Sequence, residues 1–497
     1  MKQFDRTALQ GETKQQYERM QAAPVTVLQI GEGNFLRGFF DWMIHECRKQ
    51  GLFQGSIAVV QPRPSGKDNI GKLAAQDGLY TLVTRGMDKG TAVARNELIP
   101  VFSQVFDPYT DWEKLTELAV SPQLTFVVSN TTEAGLVYRA EPLGEGPILS
   151  FPGKITYLLY LRYQAYQGSS THGLIFLPCE LLEGNGDVLR ETVLHYAEDW
   201  NLPQTFQDWV RLHNRFLNSL VDRIVTGYPE EEQAEAWFEE WGVRDNMLCT
   251  AEPYHVWAIE AEPEMENILP FRTAGLNVHW TSDLKPFRER KVRLLNGAHT
   301  WMASLGLIHG LEHVREMLEH PDFGWRVREA AVKEIIPALP YPKEELLTYS
   351  REVFDRFANP YIRHRLSDIA MNSVSKFRVR LLPSLAYYAE RRAPLPEQLI
   401  LGLSGLLRYY RVKLMEDGTY AGTNLSGEQY TVRDDPEALN LVAGIWSATE
   451  LTGATMKETV DRLLALELLW GQSLAKWDGL TTAVSYWLTQ WEGEDAK

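Results

Sequence analysis

Residues 24–38 read Pro-Val-Thr-Val-Leu-Gln-Ile-Gly-Glu-Gly-Asn-Phe-Leu-Arg-Gly, an apolar run that leads straight into Gly31-Glu32-Gly33. A helical stretch follows from Phe39 to Lys49, with Phe39, Phe40, Met43, Ile44 and Cys47 at helical spacing. A strand, a Gly-x-Gly turn and a helix in that order let the main chain approach a pyrophosphate at a helix N-terminus. Few folds accommodate such a turn, and the commonest is a parallel sheet with helices on both faces. A second strand, Ser56-Ile-Ala-Val-Val-Gln61, arrives at the distance a βαβ unit requires. Two details depart from the usual fingerprint. Leu36 stands where the third glycine belongs, and Gln61-Pro62-Arg63 replaces the acid that normally meets the adenosine ribose. Arg63 reads either as a contact to a 2′-phosphate, hence NADP, or as an exposed loop residue; Gln61 can bond the ribose hydroxyls of NAD.

Strand-like and helix-like segments alternate through the first half of the chain, as in an α/β domain. Gly78–Thr84, Leu124–Ser129 and Gly173–Glu180 read as strands, and Asn130-Thr-Thr-Glu133 leaves the second of these at the edge where cofactors bind. The dinucleotide contacts expected are therefore Ile30, Gly31, Gly33, Asn34, Phe35, Gln61, Thr131, Thr132 and Glu133. From about residue 286 long helical patterns take over, at Val327–Ile336, Lys343–Arg356, Pro396–Arg411, Asp435–Glu450 and Met456–Glu467. The expected architecture is a Rossmann-type, doubly wound α/β domain over 1–285, followed by a mostly α-helical domain over 286–497. The 497 residues suffice for two large domains. No apolar stretch reaches the roughly 18 residues needed to span a bilayer. The N-terminus lacks an export signal, and the three cysteines fit reduced thiols, so the expected location is the cytoplasm. A net charge of −16 argues against nucleic-acid partners and requires a local cation cluster to draw in any anionic substrate. The chain gives no reading of oligomeric state.

Within the second half, Lys291-Val-Arg-Leu-Leu-Asn-Gly-Ala-His299 places an amine, a carboxamide and an imidazole in what reads as the first turns of a helix. At about 100° per residue, Lys291, Asn296 and His299 span roughly 140°. Gly297 falls on the far side, where another element can pack closely, and Arg293 points away. An amine beside two neutral hydrogen-bonding groups suits moving a proton on and off an alcohol oxygen. Arg288, Arg290 and Arg293 flank the lysine; that run is either a solvated face or a field that attracts an acid and favours the neutral amine. His309 and His313 have the spacing of metal ligands on one helix face, but no third ligand is evident and a surface pair is expected. Asp222, alone in an apolar setting, reads as a surface or capping acid.

Taken together these segments resemble the polyol-specific long-chain dehydrogenases, the mannitol dehydrogenase family. The most specific match is Lys-x4-Asn-x2-His at Lys291, Asn296 and His299; Asp77–Thr81, Thr132-Glu133-x-Gly135, Asn218–Ile224, Glu252-Pro-Tyr-x2-Trp257 and Asn359-Pro-x-Ile362 extend it. The resemblance implies that Lys291 is the catalytic base, that Asn296 and His299 donate to the reacting oxygen, and that Asp222 and Lys376 bind substrate. It also implies metal-free hydride transfer with NAD. Leu181, after Cys179-Glu180, and Asp368 stand where polyol dehydrogenases carry a substrate-site asparagine and an arginine. Those departures suit a relative that reduces a keto sugar acid, whose carboxylate Lys376 or Arg288 would meet. The alternatives are a sibling acting on the epimeric keto acid, a polyol dehydrogenase, or a nucleotide sensor without turnover; the intact Lys291 set argues against the sensor.

Overall fold

The structure is a computed structural model that describes residues 2–144, 146–452 and 454–492. It divides into two compact units, one of residues 1–85 with 93–284, the other of residues 86–92 with 285–497.

The first unit is built on six parallel strands: β1 (Val25–Ile30), β2 (Ser56–Val60), β3 (Phe102–Val105), β4 (Phe126–Ser129), β5 (Ile175–Pro178) and β6 (Arg215–Phe216). They lie in the order β3-β2-β1-β4-β5-β6, every neighbour parallel. That is the order of a dinucleotide-binding sheet, reversing between β1 and β4. Strands buried on both faces need apolar residues throughout, and β2 is buried at all five positions. Alternate side chains serve opposite faces. Val27, Ile57, Val59 and Val128 pack with Phe40, Met43 and Ile44 of the helix Phe40–Lys49. Leu28, Ile30, Val60 and Val127 pack with the helices Phe151–Ala165, Asn185–Asp199 and Gln204–His213. Among the described residues three smaller sheets are built mainly from this unit, one of them carrying the strand Ser219–Asp222.

The second unit is mainly helical. Its central helix, Gly297–Ile308, is buried at eleven of twelve positions, as a helix apolar on all sides must be. The helix Glu397–Tyr409 reaches it through glycines: a Cβ on Gly402 would lie 2.5 Å from the Trp301 ring, and one on Gly405 2.6 Å from Leu305. The helical patterns read from the sequence appear at Lys343–Phe357, Glu397–Tyr409, Pro436–Thr452 and Met456–Leu464. The pattern at 327–336 does not form one α-helix; Phe323–Glu329 passes into a π segment, Ala330–Ile335, and then a 3-10 turn. A three-stranded antiparallel sheet, Val412–Leu414, Tyr420–Thr423 and Gln429–Val432, also interrupts the helices. Its two turns carry Asp-Gly and Ser-Gly, the local signal that marks them. No helix among the described residues is long and apolar enough to cross a membrane.

Candidate active site

Ile30 pairs with Val60 on one side and Ser129 on the other, so three loops leave the carboxyl edge of the sheet side by side, at its switch point. Gly31 takes φ +131, and a Cβ there would stand 3.3 Å from the Asn130 carbonyl, so a side chain would be both strained and crowded. Around Gly33 the corresponding space is open. Asn34 starts a single helical turn, Asn34–Arg37, separate from Phe40–Lys49. The Arg37 side chain fixes this turn, donating to the Glu32 carbonyl at 3.1 Å, to Asn34 Oδ1 at 2.7 Å and to the Met247 carbonyl. Phe35 stacks on Phe39 at 4.9 Å. The Ile30 side chain is wholly in the core, which leaves only its main chain at the edge.

Gln61 is fully buried, and neither its Nε2 nor its Oε1 has a hydrogen-bond partner. A buried amide left unpaired is costly, and ribose hydroxyls, donor and acceptor at once, would satisfy both ends. The loop therefore fits a dinucleotide. A Cβ on Gly66 would lie 2.7 Å from Gln61 Cβ and 3.0 Å from Glu32 Oε1. Gln61 and the Glu32 carboxyl of the glycine turn thus both border Gly66. Burial raises the Glu32 carboxyl, while its own backbone amide, Arg37 and Arg63 pull it down. Arg63 is exposed. On the β4 side, Thr131 is turned inward: its amide and hydroxyl donate to Glu180 Oε1 at 2.9 and 3.0 Å, and Ser129 Oγ donates to Oε2 at 3.2 Å. Thr132 and Glu133 are exposed, with Thr132 at φ +76, a conformation a threonine holds only under constraint. Asp222 is not the surface acid its isolation suggested. It ends the strand Ser219–Asp222, pairs with Val256 and is 8% exposed, because the chain runs on into a second sheet.

In the second unit the Lys291 motif departs from the expected first turns of a helix. An α-helix already runs from Lys285 to Arg290, Lys291–Asn296 is a π segment, and the α-helix resumes at Gly297. A π segment bonds residue i to i+5, so positions five apart stand nearly one above the other. Lys291 and Asn296 are five apart; in an α-helix they would diverge by about 140°. The wider turn brings amine and carboxamide to one face. Gly297 admits the neighbouring chain, a Cβ there lying 3.1 Å from Leu381. Lys291, Arg288 and Asn296 are half-buried.

His299 is buried beside Phe357 (4.4 Å between rings) and His364 (5.0 Å, edge on), and its Nε2 has no partner. Burial, then His364, Arg356, Arg380 and Lys376 in turn, hold its imidazole well below the ordinary range. His299 is therefore a neutral hydrogen-bonding group. Arg380 donates to the Asn296 carbonyl at 3.5 Å and to Thr300 Oγ1 at 3.1 Å. Lys376 donates to the Ile369 carbonyl at 2.8 Å; burial and Arg380 lower it, and Asp434 opposes them. Sequence reading missed Arg356, His364 and Arg380. Only Arg380 left a signal, four residues after Lys376 on one helix, Ser373–Arg380. The His309/His313 spacing does not describe one helix face: the helix ends at Ile308, Gly310 takes φ +78, and His313 caps the next helix. Nor is His309 a surface residue, being half-buried against Phe323.

The chain matches the Mannitol dehydrogenase Rossmann domain over residues 25–270 and the Mannitol dehydrogenase C-terminal domain over 283–491. It belongs to the mannitol dehydrogenase family. Family membership makes it an oxidoreductase, as the resemblance implied. It is 42% identical to the altronate oxidoreductase of Bacillus subtilis, over 96% of this chain and 94% of that one. It is 39% identical to the altronate oxidoreductase of Phocaeicola vulgatus, over 96% and 95%. Its fold is that of substrate-free D-sorbitol dehydrogenase (TM-score 0.76, 20% identity, 96% and 95% covered). It is likewise that of Pseudomonas fluorescens mannitol 2-dehydrogenase, solved with NAD and D-mannitol (TM-score 0.62, 23% identity, 96% and 94% covered).

Proposed function

We propose that the protein interconverts the sugar acid D-altronate and the keto-uronate D-tagaturonate, using NAD(H). The observation that carries this reading is the alignment of Lys291 and Asn296 by the π segment, next to a neutral His299 ringed by cations. When bound, the nicotinamide supplies or accepts the hydride. Lys291 handles the proton. In reduction the ketone carbon gains a hydride, the carbonyl electron pair moves onto oxygen, and the Lys291 ammonium protonates that oxygen. In the reverse direction the neutral amine takes the alcohol proton as hydride leaves the same carbon. Asn296 Nδ2 and an N–H of neutral His299 hold the oxygen while charge builds on it; donors of this kind lower a barrier by about 3–4 kcal/mol each. An imidazole held neutral donates a hydrogen bond without competing for the proton, which leaves the acid–base role to Lys291.

The choice of NAD over NADP rests on Glu32. A carboxylate beside Gln61 accepts a hydrogen bond from a ribose 2′-hydroxyl and repels a 2′-phosphate. Relatives named altronate oxidoreductase, at 37–42% identity over most of the chain, support the substrate. The deciding measurement is oxidation of NADH, and separately NADPH, with tagaturonate, fructuronate and fructose supplied in parallel. Fastest turnover with NADH and tagaturonate is expected. Preference for fructuronate would reassign the epimer, preference for fructose would return the chain to the polyol dehydrogenases, and no turnover with any ketose would leave a nucleotide sensor.

A further inference from the structure

Four groups press on His299, and three of them stand close to an acid: Lys376 has Asp434, His364 has Asp368, and Arg356 acts on Glu352. Arg380 differs. It is half-buried, burial lowers it, and among the described residues no carboxylate is paired with it. Its hydrogen bonds within the protein leave from Nη1 alone, to the neutral oxygens of Thr300 and Asn296. Nε and Nη2 bond nothing in the described protein. A guanidinium carries five N–H donors in a planar fork that matches a carboxylate. Withdrawing such a charge from water without a counter-charge is unfavourable, and an arriving anion would relieve it. The same side chain touches the carbonyl of Asn296, so whatever it binds lies next to the reacting group. In a chain of net charge −16, this is a locally uncompensated cation at the proton-transfer motif.

We propose that Arg380 binds the carboxylate of the substrate, in preference to Lys376 or Arg288. Lys376 already donates to the Ile369 carbonyl and stands in the field of Asp434. The inference rests on the keto-uronate reading above. Arg380 presents Nε–H and Nη2–H as a two-pronged donor to the acid, while Nη1 stays on Asn296 and Thr300. The substrate is then held at both ends, by its carboxylate on Arg380 and by its reacting oxygen on Lys291, Asn296 and His299.

The test compares wild type with Arg380→Met, Arg380→Lys and Lys376→Met. Two quantities are read: kcat and KM for tagaturonate, and dissociation constants of altronate and of an uncharged hexitol, by calorimetry on the NADH complex, in which neither alcohol can be oxidised. Arg380→Met should weaken altronate binding by about 10- to 100-fold, the cost of a lost charge-assisted contact, with the loss in KM exceeding that in kcat. The hexitol should lose much less, and Arg380→Lys should recover part of the acid affinity. Equal losses for acid and hexitol would reduce Arg380 to a positioning residue for Asn296. A larger selective loss in Lys376→Met would move the carboxylate to that lysine. Wild-type protein that binds and turns over no sugar acid would instead overturn the substrate reading itself.

Discussion

A side chain that gives a proton in one direction and recovers it in the other must meet the same oxygen twice; on the reading proposed above that side chain is Lys291, and the wide helical turn it begins sets it on the face of Asn296. Proton transfer from a positioned group contributes about 10²–10⁴-fold, so Lys291→Ala should lower turnover by that order. NADH binding, followed by fluorescence titration, should survive, because the cofactor contacts proposed above are all on other residues. Near-normal turnover would remove Lys291 from the mechanism. The identity of this lysine, of Asn296 and of His299 was legible from spacing and resemblance, because all three lie within nine residues. Their geometry was not, because a period of 3.6 assumes a uniform α-helix. Arg356 and His364 were illegible for a different reason, and Arg380 left only its spacing from Lys376: all three converge on His299 through the tertiary fold.

Among the elements, β1, β2 and the glycine turn could be read directly, since buried parallel strands are continuous apolar runs. The short antiparallel strands between Val412 and Val432 could not, because three or four residues give no period. What steadies the loop after β2 was also hidden. Lys154, fully buried in the helix Phe151–Ala165, donates to the Tyr109 hydroxyl at 2.9 Å and to the Pro62 carbonyl at 3.4 Å. Burial brings its amine down to about 7, against the pull of Glu141 and Asp107. Its folded value is depressed, so between pH 7 and 10.5 the unfolded chain binds a proton that the folded one lacks. Wild-type stability therefore gains from this group as pH rises, by at most about 1.4 kcal/mol per unit. Lys154→Met lacks that term. Its stability relative to wild type, from denaturant unfolding, should be highest near pH 7 and fall towards pH 10; a difference independent of pH would mean the ammonium is kept in the fold.

The molecule as a whole buries titrating groups of both kinds. Burial brings His45 to about 4, and holds Asp41, Glu180 and Asp245 up, with Glu334 at about 7. The histidine costs stability as pH falls from 6.5 to 4, since only the unfolded chain accepts its proton. Glu334 does the reverse between 7 and 4.5, where the folded chain holds the extra proton. The two sets oppose, which flattens the acid response. His45→Gln should uncover the carboxyl set: its stability relative to wild type should climb on acidification from pH 6.5, by up to about 1.4 kcal/mol per unit. A constant difference would show that folded His45 takes up the proton. The two π segments, Lys291–Asn296 and Ala330–Ile335, have a further consequence at this scale. Each behaves as an α-helix into which one surplus residue has been inserted, with the flanking helix left in phase. Chain length is consequently not uniformly critical. Deleting Val292 should let the helix close into an ordinary α-helix with Lys291 and Asn296 four apart, and the protein should still melt near its wild-type temperature. Deleting Ala303 from Gly297–Ile308 offers no such slack: every later side chain turns by about 100°, and that protein should not fold.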